Sequence, residues 1–179
     1  MRVIRTATME DEAGQGDFTL AGPVPLSVDF DHIPGFGSSL IWSTDGEISV
    51  PGRGEDPTLS VSSLMPGPGG TRFGLLRIPP DSVYASPDFD PAAAGAEQAA
   101  KLPGLAELMD PENPGMHQTD TLDYVIVLDG EVTLDLGHGR ERSFGKHEAI
   151  IQTGTRHAWR NKGDVPALLA SVLIGVKRD

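Results

Sequence analysis

His117 and His157 are the residues of this chain best suited to chemistry. An imidazole changes charge near neutral pH, so it can act as base, acid or metal ligand. Asp123 adds a carboxylate downstream of His117. Thr119 and Gln152 offer neutral groups that could hydrogen-bond a ligand, Trp159 an aromatic wall, and Arg72 a guanidinium able to hold a carboxylate by two parallel bonds. Each has a plainer reading as well: a packed tryptophan, a surface ion pair at Arg72 or Arg77, and histidines, threonine and glutamine that only satisfy neighbouring polar groups. Cysteine is absent. That excludes a disulfide scaffold, a thiolate nucleophile and cysteine-ligated zinc.

Strands would have to position these groups. Residues at even separation share one strand face, which groups His157 with Trp159 and Asn161, His117 with Thr119, and Asp123 with Val125 and Val127. Tyr124 falls on the opposite parity, facing outward. The regular part of the chain follows Gly115, with strands expected over 123–128, 132–136, 148–152, 156–161 and 168–176, and a hairpin at Asp129-Gly130. Upstream, strands are expected over 2–8, 18–20, 24–30, 38–44 and 71–78. Val24, Leu26, Val28 and Phe30 alternate at period two, and Pro25 makes that strand an edge. The least regular stretch is 51–70, a loop with one short strand near 59–64. A helix is expected over 92–101, with Asp90 as N-cap and Pro91 at its first position, then a further turn over 105–109. It reads as a surface insertion or as a lid over a pocket mouth. His32, His138 and His147 lie in polar or turn-rich surroundings and read as exposed.

Glycine (22) and proline (15) are in excess for a chain of 179 residues, which argues against a helical bundle. An apolar fraction of 38% argues against disorder. Many short strands joined by turns fit both facts. The net charge is −12, with no basic stripe for nucleic acid. No apolar run approaches the roughly 20 residues of a membrane helix. The first residues lack the long apolar core of a signal peptide, so a cytoplasmic protein is the default expectation.

Four segments belong together: Gly115-Met116-His117-Gln118-Thr119 leading to Asp123; Gly130; Gln152-Thr153-Gly154-Thr155-Arg156-His157; and Asn161. Together they resemble the two motifs of the cupin superfamily. The first motif runs glycine, His-x-His, three or four residues, glutamate, six residues, glycine. The second runs Pro-x-Gly, two residues, histidine, three residues, asparagine. Thr119 replaces the second histidine, Asp123 stands for glutamate, Gln152 for proline, and His147 for the glycine at the head of the second motif. The block is similar to a group of small single-domain bacterial cupins, strongly over its last third and weakly at Trp42–Gly46 and Gly70–Phe73.

The resemblance implies an all-β double-stranded β-helix, two antiparallel sheets with the site between them. It implies one domain over 1–179, with N-terminal strands and loops in 1–80, a helical insertion in 90–110 and the motif core in 115–176. It implies His117, Asp123 and His157 as metal ligands, a two-histidine-one-carboxylate set that favours Fe(II) and admits Mn, Ni or Zn. The alternative is a barrel that has lost its metal and keeps the histidines as hydrogen-bonded residues. Three functions follow: a metal-dependent lyase acting on a hydroxy acid, keto acid or enol; an Fe(II) dioxygenase; or a non-catalytic small-molecule binder. The resemblance also implies a homodimer formed by sharing or swapping N-terminal strands, while the charge and the lack of a long apolar run leave neither nucleic acid nor membrane as an expected partner.

Overall fold

The computed structural model describes residues 1–46, 48–50, 52 and 55–179. Pro51, where the irregular stretch begins, lies outside the described residues. The strands are β1 (Ile4–Glu10), β2 (Gly16–Pro23), β3 (Leu26–Asp29), β4 (Gly37–Thr44), β5 (Thr71–Ile78), β6 (Thr121–Asp129), β7 (Glu131–Asp135), β8 (Glu141–Gly145), β9 (Ala149–Thr153), β10 (Ala158–Arg160) and β11 (Ala167–Gly175). One α-helix, α1 (Pro91–Lys101), interrupts them between β5 and β6. None of the described helices is long and apolar enough to cross a membrane.

The strands form two sheets that face each other and a separate ribbon. The larger sheet has the order β3-β4-β5-β11-β6-β9, and the smaller β10-β7-β8. β1 and β2 pair only with each other. β3 is an edge strand, as Pro25 implied. The core between the sheets is built from alternate residues of the strands: Ile78, Val125, Val127, Ile150, Ala167 and Leu169 on one side, Val132, Leu134 and Phe144 on the other. Parity explains the choice. Along β6, buried Asp123, Val125 and Val127 alternate with exposed Tyr124 and Ile126.

The Asp129-Gly130 hairpin is present. Gly130 has φ of +73°, and a Cβ there would sit 2.9 Å from the Cα of Ala167. Both facts require glycine at the close of the first motif. His147 also adopts a left-handed φ of 70°. That is the backbone conformation glycine would supply at the head of the second motif.

The structure departs from the strand expectations in three places. No strand forms over 59–64; a 3-10 turn at Pro57–Ser60 stands there, because Asp56 caps the amide of Thr58 and Pro57 fixes its first position. β8 was not foreseen, because Phe144 is the only buried residue in it and its other side chains carry no alternating apolar signal. β10 is also shorter than the expected strand, since His157 makes only an isolated bridge.

α1 begins as expected. The Asp90 carboxylate accepts hydrogen bonds from the amides of Ala92 (2.9 Å) and Ala93 (3.1 Å). Its Glu97 accepts from the amides of Asp31 and His32, both at 2.8 Å, which ties the helix to the loop after β3. A second apolar cluster of Phe30, Ile33, Ala94 and Leu102 seats it beside the large sheet. The further turn is a 3-10 turn at Ala106–Leu108.

Candidate functional site

The loop that delivers His117 is held by the segment that carries His157. Asp110 accepts from the amides of Glu112 (2.8 Å) and Asn113 (3.2 Å) and pairs with Arg156. The guanidinium and these amides hold its carboxyl at about 2. Gly115 turns the chain with a φ of +84°, and Arg160 donates to the Pro114 carbonyl at 2.8 Å. Two arginines on either side of His157 thus grip the loop before His117. His117 and His157 then exchange both backbone hydrogen bonds at 2.9 Å.

The two rings lie with centroids 4.3 Å apart and planes inclined by 55°. His117 Nδ1 is 3.0 Å from the Gly115 carbonyl, and His157 Nδ1 is 2.9 Å from the Thr155 carbonyl. A carbonyl only accepts, so each neutral ring carries its proton on Nδ1 and keeps a lone pair on Nε2. Burial lowers the pKa of His117. For His157, burial and then the neighbouring imidazole lower it to about 4. The pair is therefore neutral at physiological pH, with both Nε2 atoms basic.

Both rings line a cavity of about 850 Å³ that Thr119, Asp123, Trp159 and Arg72 also border. Trp159 stands edge-on to His157 at 5.9 Å and packs on the main core, so it serves as wall and as packing. Thr119 is buried and accepts a hydrogen bond from Thr121 at 2.7 Å, which leaves its own proton free to donate. Gln152 is buried but is not among the lining residues; its Oε1 accepts from the Thr155 hydroxyl at 2.6 Å. Arg72 is buried, and its guanidinium is engaged by Asp45 (3.0 Å) and by the carbonyls of Thr44, Thr71 and Ser63. Arg77 pairs with Asp29. Asn161 of the second motif is structural: its side-chain amide donates to the carbonyls of Ile78 and Val165. His32, His138 and His147 are exposed.

Asp123 occupies a polar row across the large sheet. Ser43, Arg72, Leu173, Asp123 and Gln152 are successive cross-strand partners on one face. Three buried atoms without a hydrogen-bond partner belong to this row: Ser43 Oγ, Asp123 Oδ1 and Gln152 Nε2. Burial raises the Asp123 pKa, with Thr121 opposing it. Burial thus favours the neutral form of a carboxyl that borders the cavity.

The residues fit a divalent ion only in part. Two unshared Nε2 lone pairs on adjacent, backbone-fixed imidazoles make two corners of a metal site. The expected three-ligand set does not assemble: among the described residues, no group of three or more His, Cys, Asp or Glu side chains could hold a metal ion. The reason is placement. Asp123 hangs from β6 between Leu173 and Gln152, whereas His117 precedes that strand and is bridged to His157. An aspartate also reaches about 1.5 Å less than the glutamate of the motif, and Thr119 supplies no imidazole in compensation.

The sequence reading missed the arginines that assemble the site. Arg178 donates to the carbonyls of Thr119 (2.8 Å) and Gly154 (3.2 Å), and Gln118 also donates to Gly154 (2.8 Å). These bonds staple the two motif segments together. Ser171 was overlooked as well, although it is the one polar residue between Leu169 and Leu173 on the inward face of β11.

No family model matches the chain. A phomopsin biosynthesis cluster protein of Diaporthe leptostromiformis is 45% identical over 47 residues, 26% of this chain and 25% of that protein. A cupin-domain-containing oxidoreductase of Hypocrea virens is 34% identical over 65 residues, 35% of this chain and 34% of that protein. The chain thus spans about a quarter to a third of the length of the curated relatives it matches. Among solved structures, a cupin 2 conserved barrel domain protein of Salinispora arenicola superposes with a TM-score of 0.39 at 12% identity, over 82% of this chain and 86% of that one.

Proposed function

We propose that the chain, whose two facing sheets and motif spacing resemble those of the cupins, is a small-molecule enzyme whose reaction centre is the His117–His157 pair. Its substrate carries a hydroxyl or enol O–H that donates to the Nε2 atoms. The observation that carries this reading is the pair itself: two neutral imidazoles, each oriented by a backbone carbonyl, open to one cavity that a protonatable carboxyl also borders. Nothing about packing requires such a pair to keep both lone pairs unshared.

In this reading the chain's own groups divide the work. His117 and His157 accept the substrate hydroxyl at Nε2, and either ring, its Nδ1 proton held by a backbone carbonyl, can take that proton as a general base. Thr119 donates its hydroxyl to a second substrate oxygen. Asp123 takes or returns a proton at Oδ1, the role its raised pKa suits. Trp159 closes one side and excludes water. This chemistry suits decarboxylation, dehydration or isomerisation. A second reading, oxygen-dependent chemistry at the same pair, is favoured by the matched oxidoreductase relative. The test is turnover of a panel of hydroxy, keto and enol compounds by tag-free protein with Fe(II), Mn(II), Ni(II) or Zn(II), with oxygen uptake recorded. We expect turnover that His157→Ala abolishes. Product formed without oxygen uptake identifies the lyase-type reaction, and uptake coupled to product identifies the oxygenase. Turnover that survives in both His117→Ala and His157→Ala contradicts the site.

A further inference from the structure

The cavity extends well beyond the histidine pair, and its two ends differ in chemistry. One end holds His117, His157, Thr119 and Asp123. The other runs beneath α1, where Phe36, Leu64, Phe89, Leu102 and Leu105 line it. About 850 Å³ is far more than a three- or four-carbon acid would fill. A small polar substrate would leave that apolar wall against water, whereas an apolar body would bury it.

Charge argues about the head of the ligand. Two arginines line the cavity, and both are already paired. Arg72 is held by Asp45 and three carbonyls, and Arg160 by Asp135 (3.5 Å) and the Pro114 carbonyl. Of the lining carboxylates, Asp110 is paired with Arg156. Asp81 accepts from the amide of Asn161 at 3.0 Å and has no cationic partner, and Asp123 Oδ1 has no partner at all. Among the described residues no free cation faces the cavity, so nothing awaits a carboxylate or a phosphate. The imidazole Nε2 atoms accept hydrogen bonds and so favour a donor such as O–H.

We infer that the substrate is an uncharged amphipathic molecule, with a hydroxyl-bearing head at the histidine pair and an apolar body of medium-chain size under α1. This rests on the proposed site and narrows it: the hydroxy and keto acids of the sequence-based expectation give way to alcohols, phenols and enols. The helix inserted between β5 and β6 is then the specificity element of the enzyme. It forms the roof that an apolar body needs.

Gly95 permits a direct test. It lies on α1 at the cavity wall, and a Cβ added there meets no atom within 4 Å. The reporter is Trp159, the sole tryptophan in a Trp42→Phe background. The probes are 1-octanol and octanoate, titrated against the protein as purified. We expect octanol to change Trp159 emission saturably and to bind at least tenfold more tightly than octanoate. Gly95→Phe should weaken octanol at least tenfold, and Gly95→Ala should bind it as the parent does, with both variants melting at or above the parent temperature. Octanoate binding as tightly as octanol overturns the uncharged head. Octanol that fails to bind the parent, or binds Gly95→Phe unchanged, overturns the apolar chamber. Neither outcome touches the turnover lost in His157→Ala, so the two readings fail separately.

Discussion

His157 pays for its basic lone pair with a pH-dependent stability. Its pKa is about 4 in the folded chain against an ordinary 6.5. Above the ordinary value the ring is neutral in both states and has no effect. As pH falls below it, the unfolded chain takes the proton first, so stability declines until the folded ring protonates near its own lower pKa. The loss amounts to about 3 kcal/mol at most over that window. We expect His157→Gln to flatten the stability profile between the two pKa values, measured by denaturant titration at a series of pH values. An unchanged slope would mean that the ring is not buried as a neutral base. Sequence alone reached both histidines, because the motif spacing singled them out from His32, His138 and His147. It reached too far with Asp123, whose chemical type fits a ligand set and whose register does not. Arg160 and Arg178 were beyond it for the opposite reason: an arginine that donates to a backbone carbonyl leaves no pattern in spacing or type, and the partner of Arg156, Asp110, lies 46 residues away in sequence.

At the scale of elements, α1 is both the most legible and the most consequential. Asp90, Pro91 and the alanine run marked its start, and its bounds agree with that reading to a residue. What the sequence left open was its task, since an insertion and a lid have the same local signals. The structure places Ala94, Gly95, Gln98 and Leu102 of the insertion on the cavity wall. Removing the cap should therefore loosen the roof. We expect Asp90→Ala to cost about 1 kcal/mol and to raise amide hydrogen exchange in α1 ahead of the sheets. Gly95→Ala should stabilise by up to about 1 kcal/mol, because helix propensity improves with no steric conflict. Thermal melting checks both signs. The strands divide by burial in the same way. β6 was readable because Thr121, Asp123, Val125 and Val127 on one face are all buried, and β8 was not, because a short strand with one buried residue carries no period.

At the scale of the molecule, the glycine and proline excess marks loops around a regular two-sheet core. The outer face of the large sheet remains apolar: Phe73, Val172, Tyr124 and Ile151 are successive cross-strand partners, and Phe73, Tyr124 and Ile151 are exposed. We propose that the homodimer implied by the resemblance covers this face. Light scattering should give twice the 19.0 kDa chain mass, and Tyr124→Lys with Ile151→Lys should return the monomer. A monomeric parent, or a dimer indifferent to both changes, would refute that assignment. The central claim concerns the pair of imidazoles, and nitrogen-15 NMR of histidine-labelled protein tests it most directly. His117 and His157 should both be neutral at pH 7, with the proton on Nδ1 and a bare Nε2. An imidazolium at pH 7, or the proton on Nε2 in either ring, would contradict it.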